Sequence, residues 1–297
     1  IIIHMNFREI LEIKPKILKQ EEREFYFENG YLLLESIVTN EWLDILRETT
    51  NEKVELSKEL TESNEIYDLD SGHTFNNPRL RRLSSPNDHD KNYWKYASEF
   101  LPTIVSDLLG PNVKFHHSKL NFKWSKGGAE VKWHQDIQFW PHTNYSPLTV
   151  GTYLYDCDPS QGPLAVIPKS HNGPLYNQYE NNEWTGCLSS NDEQKIDKKN
   201  VKYLDGPAGS LTIHNCRMIH GSKPNNSESG RPLLLNVYSS ADAFPYTKNP
   251  IFSKYDQEIV LGEKVKWADH DPRPCLIPPS WDDGYKSIFS YQQKERM

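Results

Sequence analysis

Apolar positions along the chain keep two different periods. Over residues 19–28 and 40–62 they recur at three- and four-residue spacing, the mark of a helix with one buried face, and Thr39 or Asn40 stands where an N-cap belongs. From about residue 113 the period shortens to two. Val113-Lys114-Phe115 opens the alternation, Leu148 to Asp156 and Leu164 to Ile167 continue it, and residues 203–239 return in the same style after a Gly206-Pro207-Ala208-Gly209 turn. Helices followed by many short strands imply a mainly β core with flanking helices. Residues 176–200, rich in Asn, Glu, Asp and Lys, interrupt the pattern and read as a long insertion, either a lid or a solvated connection. Beyond residue 240, aromatics and prolines such as Trp267, Pro278-Pro279, Trp281 and Tyr285 crowd a stretch without regular period, expected to wrap the core or close its mouth. No internal repeat is evident, and 297 residues can bury one sizeable core. A single domain over 1–297 is therefore expected, with about 19–110 as helical support, about 111–240 as the ligand-bearing core and about 241–297 as a C-terminal wrap.

The strand-rich region contains His134-Gln135-Asp136. Residues i and i+2 of a strand share a face, so His134 and Asp136 can converge while Gln135 points elsewhere. Two imidazoles and one carboxylate on one face of an octahedral ion leave three positions open, the arrangement of non-haem Fe(II) oxygenases, whereas a structural zinc site closes its shell. A jelly-roll barrel brings distant strands side by side, which makes His220 the best third ligand. One His-x-Asp triplet is about what chance supplies in such a chain. This one, however, lies among aromatic and β-branched residues, with His220-Gly221-Ser222 and then Arg231 downstream. A guanidinium is a planar, permanently charged fork for a carboxylate, and the Ser222 hydroxyl can donate beside it. His134, Asp136, His220 and Arg231 together can hold an iron atom and one dicarboxylic acid.

Three stretches in order, Trp133-His134-Gln135-Asp136, then Gly162-Pro163-Leu164-Ala165-Val166-Ile167-Pro168-Lys169-Ser170-His171, then Ile219-His220-Gly221-Ser222 with Asn225, Ser227 and Arg231, resemble the phytanoyl-CoA dioxygenase family. The similarity runs from about Asn29-Gly30-Tyr31 to about Tyr238. It implies a double-stranded β-helix, a jelly-roll or cupin-like barrel, and an Fe(II)- and 2-oxoglutarate-dependent dioxygenase with O2 as second cosubstrate. His134, Asp136 and His220 would be the catalytic metal ligands, and Arg231 with Ser222 would bind the far carboxylate of 2-oxoglutarate. Gln135 becomes a cosubstrate contact by the same resemblance, although its strand direction argues otherwise. Relatives often carry a Trp where Tyr153 stands; its hydroxyl would reach 2-oxoglutarate or substrate, or else be satisfied inside the barrel. The implied reaction is oxidation, hydroxylation above all, of an aliphatic carbon of a small-molecule metabolite, releasing succinate and CO2. Oxidative cyclisation or desaturation by the same oxidant, and a noncatalytic metal-binding barrel, are the alternatives. Asp136 argues against a halogenase, which needs Gly or Ala there.

The remaining polar residues have plainer readings. His214, six before His220, is expected to be structural, as are His116, His117 and His171, while His142 after Trp140-Pro141 is a candidate substrate contact. Lys119 and Lys123, on the strand before the iron motif, either help bind an anion or, like most lysines on such strands, are solvated, and neither is expected to be essential. Arg79-Leu80-Arg81-Arg82 reads as a solvated helix end or loop, with the alternative that one Arg enters the pocket. A net charge of −7 argues against a nucleic-acid surface and, with Phe139, Trp140 and Tyr153 as lining, suits a small molecule better than an acyl-CoA. No apolar run approaches about 18 residues, so no membrane span is expected. Four scattered cysteines, Cys157, Cys187, Cys216 and Cys275, form neither a zinc motif nor a disulfide framework, which suits a reducing cytoplasm. Ile1-Ile2-Ile3-His4 reads as a cloning remnant before a natural start at Met5. The sequence leaves the oligomeric state open.

Overall fold

The computed structural model describes residues 5–125, 128–282, 284–285 and 287–292; Ile1 to His4 lie outside them. The strands are β1 (Tyr31–Leu34), β2 (Tyr67–Leu69), β3 (Leu80–Ser84), β4 (Val113–Asn121), β5 (Val131–His134), β6 (Leu148–Tyr153), β7 (Leu164–Val166), β8 (Tyr179–Glu180), β9 (Glu183–Trp184), β10 (Lys202–Leu204), β11 (Leu211–Asn215), β12 (His220–Ser222), β13 (Leu233–Ser240) and β14 (Ile259–Leu261). A large sheet runs β1-β11-β6-β13-β4-β3-β2, with β14 also on β4, and a small sheet runs β10-β7-β12-β5. The ligand-bearing cavity draws its walls from both sheets. This is the jelly-roll architecture the sequence implied, with its helices outside.

Alternation in the large sheet decides which residues meet the helices and which meet the cavity. Leu120 of β4, Leu148 and Val150 of β6, Leu211 and Ile213 of β11, and Leu234 and Tyr238 of β13 join one apolar core with Leu101, Ile104, Val105 and Leu108 of the helix Leu101–Leu109. Each such leucine, fully buried, contributes roughly 1.5–3 kcal/mol. The opposite positions, Lys119, Asn121, Thr149 and His214, face the cavity. Both faces of the sheet are thus covered, yet the inner one mixes these polar residues with apolar ones such as Leu233 and Leu235.

The predicted helices appear as Gln20–Asn29 and Asn40–Leu56. Gly30 closes the first at φ +82°, where a Cβ would strike His171 and Met218, and the Thr39 hydroxyl caps the second by accepting from Trp42 N at 3.4 Å. The second stops six residues short of the expected 62 because Ser57 turns its hydroxyl back to the Val54 carbonyl and the chain tightens into a 3₁₀ turn, Ser57–Glu59. The helix Leu101–Leu109, not foreseen from the sequence, buries eight of its nine residues. Arg79 to Arg82, expected as a helix end or loop, instead lead into and form β3. Arg79 pairs with Asp70 at 3.3 Å and Arg81 with Asp68 at 2.7 Å, so the charges neutralise locally and leave Leu80 and Leu83 to the core. Residues 176–200 are more than a solvated connection. They carry the β8–β9 hairpin and the short helix Ser190–Glu193, and they bury Trp184, Leu188 and Ile196. In the tail, Trp281 is buried and donates from Nε1 to the Phe139 carbonyl at 3.1 Å, whereas Trp267 is 74% exposed. Among the described residues no helix is long and apolar enough to cross a membrane.

Candidate active site

The site begins with a register. His220 of β12 lies directly opposite His134 of β5, while on its other side His220 faces Val166 of β7, so three stretches far apart in sequence meet at one point. Gly221 permits this closeness, since a Cβ there would sit 2.8 Å from the Val131 carbonyl oxygen. β5 ends at His134, so Asp136 is not on the strand as the sequence argument assumed; it opens the 3₁₀ turn Asp136–Gln138. The shared face survives because Gln135 is still extended, at φ −126° and ψ 122°. Asp136 Oδ1 lies 3.5 Å from His134 Nε2 and 3.7 Å from His220 Nε2, and the three ligand atoms fall within 4.8 Å of one another.

Hydrogen bonds fix the state of each ligand. His134 Nδ1 is 2.8 Å from the Lys132 carbonyl oxygen and His220 Nδ1 is 2.9 Å from that of Met218. A carbonyl only accepts, so each Nδ1 carries the proton and each Nε2 presents a lone pair to the centre. Burial and the adjacent His134 and His214 push the His220 imidazole well below its ordinary value, which keeps it neutral. Burial alone would raise the Asp136 carboxyl, but the surrounding cluster of His220, His134, His214 and Lys119 holds it well below the usual carboxylate range. Its second oxygen, Oδ2, accepts from the Thr149 hydroxyl at 3.0 Å and lies 3.4 Å from His214 Nε2. One carboxylate oxygen is therefore held by the protein and the other faces the centre. His214, read from sequence as structural, stands in the cavity wall with its ring centroid 4.2 Å from that of His220.

Arg231, buried at 5% exposure, borders the same cavity of about 60 Å³. Its backbone is clamped to the segment just past β4, Arg231 N donating to the Lys123 carbonyl at 2.7 Å and Lys123 N to that of Arg231 at 3.2 Å. Asn225, itself fully buried, makes this loop rigid by donating to the Lys123 and Ser229 carbonyls and accepting from Ser227. The guanidinium lies 5.9 Å from the Tyr153 ring, but Nε and Nη1 have no hydrogen-bond partner among the described residues. Ser222 borders the cavity beside it. Lys123 Nζ donates to the Lys223 carbonyl, and burial together with Arg231 draws its pKa down to about 6.

Two sequence-expected contacts turn away. The Gln135 amide donates to the Pro174 and Arg217 carbonyls and accepts from Tyr176 N and Gln138 Nε2, because the residue between two inward neighbours faces outward; it braces the loop over β5 instead. The Tyr153 hydroxyl donates to the Leu204 carbonyl at 2.7 Å and accepts from Leu164 N at 3.3 Å, which leaves only its ring for the site. His142 is buried beside His116 and Trp140, with Nδ1 on the Trp140 carbonyl, and does not border the cavity. Sequence reasoning passed over Thr149, and over Ile288 and Phe289 of the C-terminal helix Ile288–Gln292, which roof the cavity. Gln292 fastens that roof by accepting from Lys132 N at 2.8 Å and donating to the Gly186 carbonyl at 2.7 Å.

The pattern of the phytanoyl-CoA dioxygenase (PhyH) family matches residues 26–233. The chain belongs to that family. A probable alpha-ketoglutarate-dependent hypophosphite dioxygenase of Stutzerimonas stutzeri is 32% identical over 263 residues, covering 87% of this chain and 91% of that one. An ectoine dioxygenase of Stutzerimonas stutzeri strain A1501 is 27% identical over 193 residues, 60% of this chain and 63% of that one. The crystal structure of EctD from S. alaskensis in its apo form superposes with a TM-score of 0.65 at 19% identity, over 84% of this chain and 88% of that one. The protein is a non-haem Fe(II)/2-oxoglutarate-dependent dioxygenase of the family, and its residues fit both groups: three neutral or anionic donors converge with Nε2 lone pairs inward, and an unpartnered buried guanidinium awaits a carboxylate.

Proposed function

We propose that this dioxygenase hydroxylates a C–H bond of a small molecule, with His134, Asp136 and His220 holding Fe(II), and Arg231 and Ser222 holding the far carboxylate of 2-oxoglutarate. The observation that carries this reading is that the three converging donors and the unpartnered Arg231 fork open on one cavity. The balance is R–H plus 2-oxoglutarate plus O2 giving R–OH, succinate and CO2. Bound iron, with its cosubstrates, supplies an oxidant able to break an unactivated bond. The chain supplies neutral imidazoles, a carboxylate oriented by Thr149, the Arg231 anchor, and apolar walls from Leu233, Leu235 and Phe289 that exclude water. A covered cavity between the two sheets, rather than an open groove, supports a small-molecule substrate. The names of the two relatives, hypophosphite and ectoine dioxygenases, agree with that scale. Four unpaired cysteines support work in a reducing cytoplasm.

Anaerobic titration with Fe(II) and 2-oxoglutarate tests the assignment. Wild type should develop the weak visible charge-transfer band of the bidentate chelate, His220→Ala should not, and admitting air should discharge the band with formation of succinate. A folded, metal-loaded wild type with no band would overturn the reading.

A further inference from the structure

We propose that the substrate carries one negative charge and that Lys119 holds that charge beside the metal centre. This rests on the dioxygenase reading above and names its substrate class. Lys119 lies on the inner face of β4, opposite Leu235 of β13 and Ser84 of β3, and its side chain borders the cavity shared by His134, Asp136 and His220. It forms no hydrogen bond or ion pair among the described residues. Three other buried cations are committed, Lys114 to the Ala243 carbonyl and Gln257, Lys123 to the Lys223 carbonyl, Arg217 to the His171 and Gly173 carbonyls, while Arg231 is assigned to 2-oxoglutarate. The favourable charge partner of Lys119 is the Asp136 carboxylate, beyond ion-pair distance and turned to the metal centre, and a long flexible cation kept in a covered site on that footing is costly unless a ligand completes it.

Charge balance says which ligand. With iron and 2-oxoglutarate in place, the two charges of Fe(II) and the one on Arg231 are matched by the Asp136 carboxylate and the two carboxylates of 2-oxoglutarate. Lys123, which also borders the cavity, is held by the Lys223 carbonyl and drawn toward neutrality, so the ammonium of Lys119 is the surplus charge, and a monoanion neutralises it where a zwitterion or a neutral molecule does not. Asn121, two residues along on the same face, borders the cavity with its buried amide oxygen unpartnered; turned about, its NH2 would donate to the same anion. The shared chemistry is a compact monoanion, and it has two sources, a phosphorus oxyanion or a carboxylate.

The experiment titrates hypophosphite, propionate and ectoine separately into anaerobic Fe(II)·2-oxoglutarate protein, following the shift of the visible band and the heat of binding, in wild type, Lys119→Met and Lys119→Arg. The expected result is that hypophosphite or propionate binds wild type and ectoine does not. Lys119→Met should weaken the anion at least tenfold, Lys119→Arg should recover part of it, and 2-oxoglutarate affinity should stay within twofold throughout. Whichever monoanion binds identifies the source. Three results would each overturn the proposal: equal anion binding in wild type and Lys119→Met, a tenfold loss of 2-oxoglutarate instead, or no monoanion binding to wild type whose band forms normally. If the band itself never forms in wild type, the dioxygenase assignment fails first and this inference falls with it.

Discussion

Replacing Arg231 by Leu separates cosubstrate binding from folding, because the two should move in opposite directions. Two buried donors, Nε and Nη1, have no partner among the described residues, so in the free protein these two N–H groups are left unsatisfied. Each charge-assisted hydrogen bond to a carboxylate is worth roughly 1.5–3 kcal/mol, so losing two removes about 3–6 kcal/mol. At about 1.4 kcal/mol per tenfold, the KM for 2-oxoglutarate should rise by at least about a hundredfold. Against folding, Leu loses only the contact with the Tyr153 ring, about 0.5–2 kcal/mol, and removes a buried uncompensated charge. The metal-free variant should therefore melt no earlier than wild type. Arg231→Lys should fall between, since it keeps the charge and loses the fork. The assays are succinate formation against 2-oxoglutarate concentration and thermal melting of the metal-free proteins. A KM change under threefold, or a melting point lowered by several degrees, would mean that Arg231 is held for the fold rather than for the cosubstrate.

Three further outcomes follow from the same structure. Thr149→Val deprives Asp136 Oδ2 of its hydroxyl donor and should weaken Fe(II) binding about 10- to 100-fold in a metal titration, with the fold intact; unchanged affinity would show that the carboxylate needs no such support. Burial, helped by nearby Lys114, pulls His116 and His142 down to about 3, and His117 is lowered in the same direction, so the folded protein keeps them neutral while unfolded histidines protonate near 6.5. More protons bind the unfolded chain below 6.5, so stability is whole above that pH and is lost as pH falls toward 3; His116 and His142 alone should cost about 3 kcal/mol in urea unfolding between pH 7.5 and 5.5, and equal stability at the two would refute it. Deleting residues from 281 onward removes Ile288 and Phe289 from the cavity roof, together with Trp281 and Gln292, which fasten that segment. The folded remainder should consume 2-oxoglutarate with poorer coupling to substrate oxidation, measured as succinate per product, and an unchanged ratio would deny the segment any role in excluding water.

What could be read from the chain alone followed what is local. His134 and Asp136 were legible because one extended residue between them sets their common face, and that relation held even though Asp136 lies past the strand. Arg231 was legible because its residue type admits few other uses in such a setting. The same period-two rule argued against Gln135, and the family likeness that favoured it gave way to four hydrogen bonds binding its amide to the neighbouring loops. Thr149 and His214 were not legible, since their partnership with Asp136 depends on β6 pairing with β11, where Thr149 stands opposite His214 across a separation of 65 residues that no local pattern encodes. The roof was hidden for the same reason: Gln292 reaches Lys132 across 160 residues.

One signal in the sequence nevertheless carried more than was drawn from it. A sheet with one face against helices and the other against solvent alternates apolar with polar residues, and a sheet covered on both faces should be apolar throughout. The large sheet here is covered on both faces, by helices outside and by the small sheet and the C-terminal helix inside, yet β4, β6 and β11 keep Lys119, Asn121, Thr149 and His214 on the covered inner side. Polar groups persist in such a position only if something polar completes them. Thr149 is completed by Asp136, whose Oδ2 also lies 3.4 Å from His214 Nε2, and iron would complete the other side of that carboxylate; among the described residues Lys119 and the amide oxygen of Asn121 are the remainder. The period-two alternation therefore marked the cavity wall residue by residue. The recognition problem that the triad leaves unsolved, which molecule is oxidised, lies in the two wall positions that neither metal nor cosubstrate uses.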